Sequence, residues 1–405
     1  MGDYLKQVEE QLAELTERGA HRRPRPRLDL LAVGAGIAVV VAVVVVVATI
    51  GQNGHRSGAV SHNPHSAVHR GSVSHHGRLR ISTISVSPGE LPAGPVPPGF
   101  GPQSFTALGE LAWWMLGSAP CSSPPCTSIV RTTDGGRTFV GTPAPRTRYV
   151  SQVRFDDSLN GFAYGPQLWV THDGGRHWHQ IQISSGGQVS DLAASLGQVY
   201  AIVTNPATGV GQLLHADASA DAWSALPAAG DAVGGLWVQG STVLLESSTR
   251  TGDQLRVSQD GGRSFATYPV PPSVACRFEE PAPPVVWAHC ATGMLSGTWR
   301  SVAGGRNFVA VGGGLPELPN SAAFGSASAN TAVVGYRQLY RTTDGGSTWS
   351  PVVGPSGITW WQYLGFTDPT HGVAIGYVGS SAQPSNERLY YTTDGGASYH
   401  LVSIR

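Results

Sequence analysis

The sequence predicts an all-β fold, a seven-bladed β-propeller of four-stranded antiparallel blades over 101–405, preceded by one transmembrane α-helix. Three observations predict it. An uncharged run, "LLAVGAGIAVVVAVVVVVATI", covers Leu30 to Ile50. A Thr/Ser-x-Asp-Gly-Gly-x-x-aromatic phrase recurs through the rest of the chain. Between its copies, short apolar runs alternate with turn-forming residues. The composition agrees: 53 Gly and 29 Pro with only 13% charged residues suit a turn-rich, extracytoplasmic β protein.

The first 28 residues place Leu5, Val8, Leu12 and Leu15 at 3-4-3 spacing, which predicts a short amphipathic helix. Such a helix is marginal alone. It could associate with a copy of itself, lie on the membrane beside its arginines, or have no specific partner.

The apolar run, within 29–50, is 21 residues long, so as a helix it spans a bilayer core of roughly 30 Å. It exceeds a usual signal-peptide core, and no small-x-small cleavage site follows it, so an uncleaved signal anchor is expected. Arg18, Arg22, Arg23, Arg25 and Arg27 precede it, and only Arg56 follows closely. The positive-inside rule puts the N-terminus in the cytoplasm and the bulk outside a plasma membrane crossed once.

Residues 51–100 are rich in Gly, Ser, Pro and His and read as a flexible stalk. Its histidines, His55, His62, His65, His69, His75 and His76, have no Cys or carboxylate among them. A solvated linker with weak, adventitious metal affinity is expected, with no specific metal and no cofactor. Formal charge is zero, so bulk electrostatics imply no nucleic-acid partner.

The phrase reads "RTTDGGRTF" at Arg131, "VTHDGGRHW" at Val170, "VSQDGGRSF" at Val257, "RTTDGGSTW" at Arg341 and "YTTDGGASY" at Tyr391. Its acids are Asp134, Asp173, Asp260, Asp344 and Asp394. Two eroded copies fill the gaps: Asp217 before Trp223, and Ala303 before a retained Gly-Gly and Phe308. Seven steps of about 40–45 residues predict seven blades. Ser151 to Ile183 shows the internal plan, with "VRF", "GFAYG", "LWVT" and "HWHQI" as four strands. The last unit repeats it with "YLGFTD", "HGVAIGY", "RLYYTT" and "SYHLVSI".

The phrase resembles the Asp-box, or BNR repeat, found in propellers of sialidases, sortilin-type receptors, xyloglucan-cleaving glycosidases and photosystem II assembly factors. The resemblance covers about three quarters of the chain and implies a fold; the family spans enzymes and binders. It also implies that the boxes lie on the rim away from the ligand face. The residues themselves assign the phrase a structural task. Its Asp can accept hydrogen bonds from its own turn and from the Ser/Thr two residues earlier. Its glycines supply positive φ, and its aromatic packs between sheets.

Recognition is then expected on the opposite face, in 118–126, 144–149, 246–254, 312–320, 354–363 and 376–388. The contact-capable residues there are Arg146, Arg148, Tyr149, Arg250, Asp253, Trp360, Trp361 and Tyr363. The cysteines pair as Cys121–Cys126, bracketing one loop, and Cys276–Cys290, on the first two strands of blade five. A sialidase-like site needs an arginine triad, a Tyr nucleophile and an Arg-Ile-Pro phrase. Only "RIS" at Arg80 approaches the last, and no carboxylate pair stands out. The expectation is a non-catalytic binding or scaffold module for an envelope protein, glycan or cell-wall component. The alternative is a glycoside hydrolase.

Overall fold

The computed structural model describes residues 91–183, 187–249, 252–273, 275–379 and 386–405. The expected cytoplasmic helix, membrane span and most of the stalk lie outside the described residues. Among the described residues, no helix is long and apolar enough to cross a membrane.

Seven four-stranded antiparallel units follow one another along the chain. Blade 1 is β1 (Gly101–Ala107), β2 (Trp113–Ser118), β3 (Thr127–Thr132) and β4 (Val140–Thr142). Blade 2 is β5 (Gln152–Phe155), β6 (Gly161–Tyr164), β7 (Leu168–Thr171) and β8 (His179–Ile181), matching the four predicted runs. Blade 3 holds β9 (Gln188–Ser195), β10 (Gln198–Thr204), β11 (Gly211–Asp217) and β12 (Ser224–Ala225). Blade 4 holds β13 (Ala232–Gln239), β14 (Thr242–Thr249), β15 (Gly252–Ser258) and β16 (Ala266–Pro269). Blade 5 holds β17 (Ala275–Ala282), β18 (Val285–Ala291), β19 (Leu295–Ser301) and β20 (Val309–Ala310), and a short β21 (Leu318–Pro319) adds to β19. Blade 6 is β22 (Ala323–Ser326), β23 (Ala332–Gly335), β24 (Leu339–Thr342) and β25 (Ser350–Pro351). Blade 7 is β26 (Ile358–Phe366), β27 (Gly372–Val378), β28 (Glu387–Thr392) and β29 (His400–Val402).

The core is divided rather than single. Seven buried clusters form, each drawing on two successive blades, because a blade has two apolar faces and only its neighbours can cover them. Trp114 of blade 1 stacks on Phe155 of blade 2 at 4.5 Å between ring centroids. The cluster of Phe105, Trp113 and Met115 with Tyr363, Val373 and Ile375 joins blade 1 to blade 7. The ring therefore closes by packing, with every blade built from contiguous chain. The first strand of blades 1, 2, 5, 6 and 7 ends its sheet, so the ring shortens and shelters its inner edges rather than pairing them.

The expected stalk boundary shifts. Leu91 is buried against blades 1 and 2, and Gly94 exchanges backbone hydrogen bonds with Gly141 at 2.8 and 2.9 Å along the outer strand of blade 1. Arg131 donates to the Pro92 carbonyl. Residues 91–100 thus belong to the propeller. Both predicted disulfides are present, and Cys276 and Cys290 stand directly opposite each other on β17 and β18.

Candidate functional site

Strand order fixes two faces. Turns between first and second strands share a face with the Asp-Gly-Gly turns between third and fourth. Turns between second and third strands, and the blade-to-blade connections, share the other, here the connection face.

The Asp-Gly-Gly carboxylates are held within their own turns. Asp344 Oδ1 accepts the Thr342 hydroxyl at 2.8 Å and the Thr348 N–H at 2.9 Å, and Oδ2 accepts the Thr348 hydroxyl at 2.6 Å. The Thr348 hydroxyl, then its N–H, hold Asp344 down at about 2. Ser264 does the same for Asp260. Asp134 and Asp394 also sit at about 2, because hydrogen bonds outweigh the upward push of burial. At Asp173 the ring of His177 takes the hydroxyl's place, 2.6 Å from Oδ2. A carboxylate tied to its own turn and held this low is a weak base at neutral pH, poorly matched to proton abstraction.

Asp217 departs from the expected pattern. It pairs with Gln198 in the last register position of β11, where intact copies carry Thr or Ser. Its Oδ1 accepts from the Gln198 side chain at 2.7 Å instead of clasping a turn. Blade 5, with Ala303, keeps its turn through Ser301, whose hydroxyl bonds the Arg306 carbonyl.

On the connection face, Arg146 and Arg148 are exposed in the link between blades 1 and 2. Arg148 donates to the Tyr149 hydroxyl at 3.1 Å and lies 5.2 Å over its ring, which is itself 46% exposed. Trp360 stacks on Tyr377 at 4.1 Å and remains half-buried. Asp253 is half-buried on β15, and Arg250 lies outside the described residues. Trp361 and Tyr363 are not surface residues, at 2% and 3% exposure. The expected loop 354–363 becomes strand from Ile358, and a bulge between Trp361 and Tyr363 turns them to opposite sides of blade 7. Trp361 packs toward blade 6 and Tyr363 toward blade 1.

Sequence reading missed polar groups on the first and second strands of the blades. Asp191 of blade 3 accepts the Leu236 N–H of blade 4 at 3.0 Å, and Glu246 of blade 4 accepts the Cys276 N–H of blade 5 at 3.0 Å. Glu279 of blade 5 takes both Ser326 donors of blade 6 and pairs with Arg277 at 3.1 Å. Arg154 donates to carbonyls of Phe105 and Val153, leaving Nε and Nη2 without a hydrogen-bond partner. Burial pushes Asp191 up to about 6 and Glu246 up to about 7, and raises Glu279 as well. The available signal was charge inside apolar strands: a lone Arg154 in "VRF", and Arg277 with two acids in "CRFEE".

Among the described residues, two groups of three histidine and carboxylate side chains converge on the Asp-Gly-Gly face, His172–His179–Asp221 and Glu110–Asp368–His371.

No family model matches the chain, and no curated protein matches it. Solved structures do. YCF48 from Cyanidioschyzon merolae is similar at 15% identity and a TM-score of 0.50, over 75% of this chain and 98% of that one. Puromycin hydrolase is similar at 13% identity and a TM-score of 0.53, over 77% of this chain. The match spans only 57% of that hydrolase. At such identity the likeness is one of fold.

Proposed function

We propose that the chain is a membrane-anchored, extracytoplasmic binding module whose connection face takes up a protein or glycan ligand and carries out no chemistry. The observation that supports it is the placement of the acids. The intact Asp-Gly-Gly carboxylates hold turns, and Asp191, Glu246 and Glu279 hold blades together. What the connection face offers instead is an arginine–tyrosine pair, Arg148–Tyr149, and the Trp360–Tyr377 stack, the chemistry of recognition surfaces. The anchoring rests on the Leu30–Ile50 run and the arginines before it.

The test is enzymatic. Full-length protein in detergent is assayed on fluorogenic sialosides and β-glucans. No turnover is expected. Turnover abolished by Asp253→Asn or Glu387→Gln would instead establish a glycoside hydrolase. Anchoring predicts that protease added to intact cells degrades the propeller; full protection would overturn that topology.

A further inference from the structure

On the Asp-Gly-Gly face, two imidazoles of blade 2 converge on one carboxylate of blade 3. His172 Nε2 lies 3.2 Å from Asp221 Oδ1, and His179 Nε2 lies 2.7 Å from Asp221 Oδ2. The ring centroids are 5.9 Å apart, and the three ligand atoms lie within 4.8 Å of one another. All three side chains reach solvent, at 31%, 49% and 43% exposure.

The hydrogen bonds behind His172 decide what its Nε2 can do. Asp157 accepts the Asn160 side-chain amide N–H at 2.8 Å, which fixes that amide's orientation. Asn160 Oδ1 therefore faces His172 Nδ1, at 2.7 Å. A carbonyl oxygen only accepts, so Nδ1 carries the proton. In the neutral ring Nε2 is then a bare lone pair, aimed at a carboxylate oxygen that is also only an acceptor. Two acceptors at that distance repel unless a cation lies between them. The cation is either a proton or a metal ion.

We propose that His172 Nε2, His179 Nε2 and the Asp221 carboxylate bind a divalent transition-metal ion of the zinc type, clamping the rims of blades 2 and 3. Two imidazoles and a carboxylate suit such an ion, and a fourth position stays open to water. Metal–ligand bonds of about 2.0–2.1 Å in a tetrahedron put ligand atoms about 3.3 Å apart, inside the 4.8 Å within which these three ligand atoms lie. The Asp157–Asn160–His172 chain is the outer support that metal-binding histidines usually have. The Glu110–Asp368–His371 group lacks this openness. There Asp368 Oδ1 already accepts Thr370 N–H, His371 N–H and the Thr370 hydroxyl, and His371 Nδ1 is turned onto Asp368 Oδ2.

The experiment uses full-length protein in detergent, with the six stalk histidines replaced by Asn so that they do not compete. Zinc chloride is titrated while propeller melting is followed, and cobalt(II) is added separately for its visible absorption. The expected result is a melting temperature raised by several degrees and a tetrahedral cobalt spectrum. Both should vanish in His179→Ala and in Asp221→Asn. Asn160→Ala, which frees the tautomer, should weaken zinc binding about 10-fold or more. A zinc-induced shift of the same size in His179→Ala, or no shift in the parent, would overturn the proposal and leave a histidine–carboxylate hydrogen-bond cluster.

Discussion

Glu279 Oε2 on blade 5 accepts both the backbone N–H and the hydroxyl of Ser326 on blade 6, each at 2.7 Å, so one carboxylate ties two neighbouring blades at their innermost strands. Its other oxygen meets Arg277 Nε at 3.1 Å. Replacing Glu279 by Ala strands a largely buried guanidinium and an inter-blade N–H. The expected cost is on the order of 3–5 kcal/mol in denaturant unfolding, while Ser326→Ala should cost about 1 kcal/mol. A Glu279→Ala protein as stable as the parent would show the tie to be idle.

Glu246 makes the corresponding tie from blade 4 to blade 5, and its titration separates it from the rest. Burial raises it from 4.5 to about 7. The folded state therefore prefers the protonated form. Its contribution is fully present below about pH 4.5 and is lost as pH rises through about 7. Glu246→Gln stays neutral, so the variant should gain on the parent by up to roughly 3 kcal/mol between pH 4.5 and pH 8. Parallel stability-versus-pH curves for the two proteins would refute the assignment.

The Asp-Gly-Gly turn is a frame element, and its second glycine is where the frame is tightest. Gly346 has φ +88°, and a Cβ there would sit 2.6 Å from Val311 Cβ of the preceding blade. Gly346→Ala meets a left-handed backbone penalty of about 1–2 kcal/mol plus that overlap. Gly313→Ala has nothing within 4 Å and should be nearly neutral. Thermal melts of the two variants should differ clearly. Equal melting temperatures would place no demand on the turn.

The Cys276–Cys290 bond closes a loop of separation 14 across the first hairpin of blade 5. A loop of that size predicts that Cys276→Ser/Cys290→Ser loses about 3 kcal/mol and its non-reducing gel shift. Alkylation of native protein at either cysteine would contradict the bond.

Much of the fold was legible because the Asp-Gly-Gly phrase is local. Thr342, Asp344 and Thr348 satisfy one another within seven residues, so their spacing alone reports the turn, and repetition reports the blade count. The two disulfides were legible for the same reason. Contacts made across blades were not. Trp361 and Tyr363 look like surface aromatics because the bulge that turns them to opposite sides leaves no mark on apolar periodicity. Asp217 was misplaced because its eroded copy is one residue short: it stands at the Thr/Ser position, six residues before Trp223, where the intact copies have seven. His172 and Asp221 lie 49 residues apart, and only the blade period brings them together.

The central claim is that the connection face binds and the Asp-Gly-Gly face does not serve that ligand. In-cell crosslinking with mass spectrometry tests it most directly, comparing the parent with Arg148→Ala/Tyr149→Ala, with Trp360→Ala, and with exposed His400→Ala on the outer strand of blade 7. The account predicts one envelope protein or glycan enriched by the parent and by His400→Ala, and lost from both connection-face variants while melting stays unchanged. Enrichment that survives in the connection-face variants, or none above a control propeller in the parent, would contradict it.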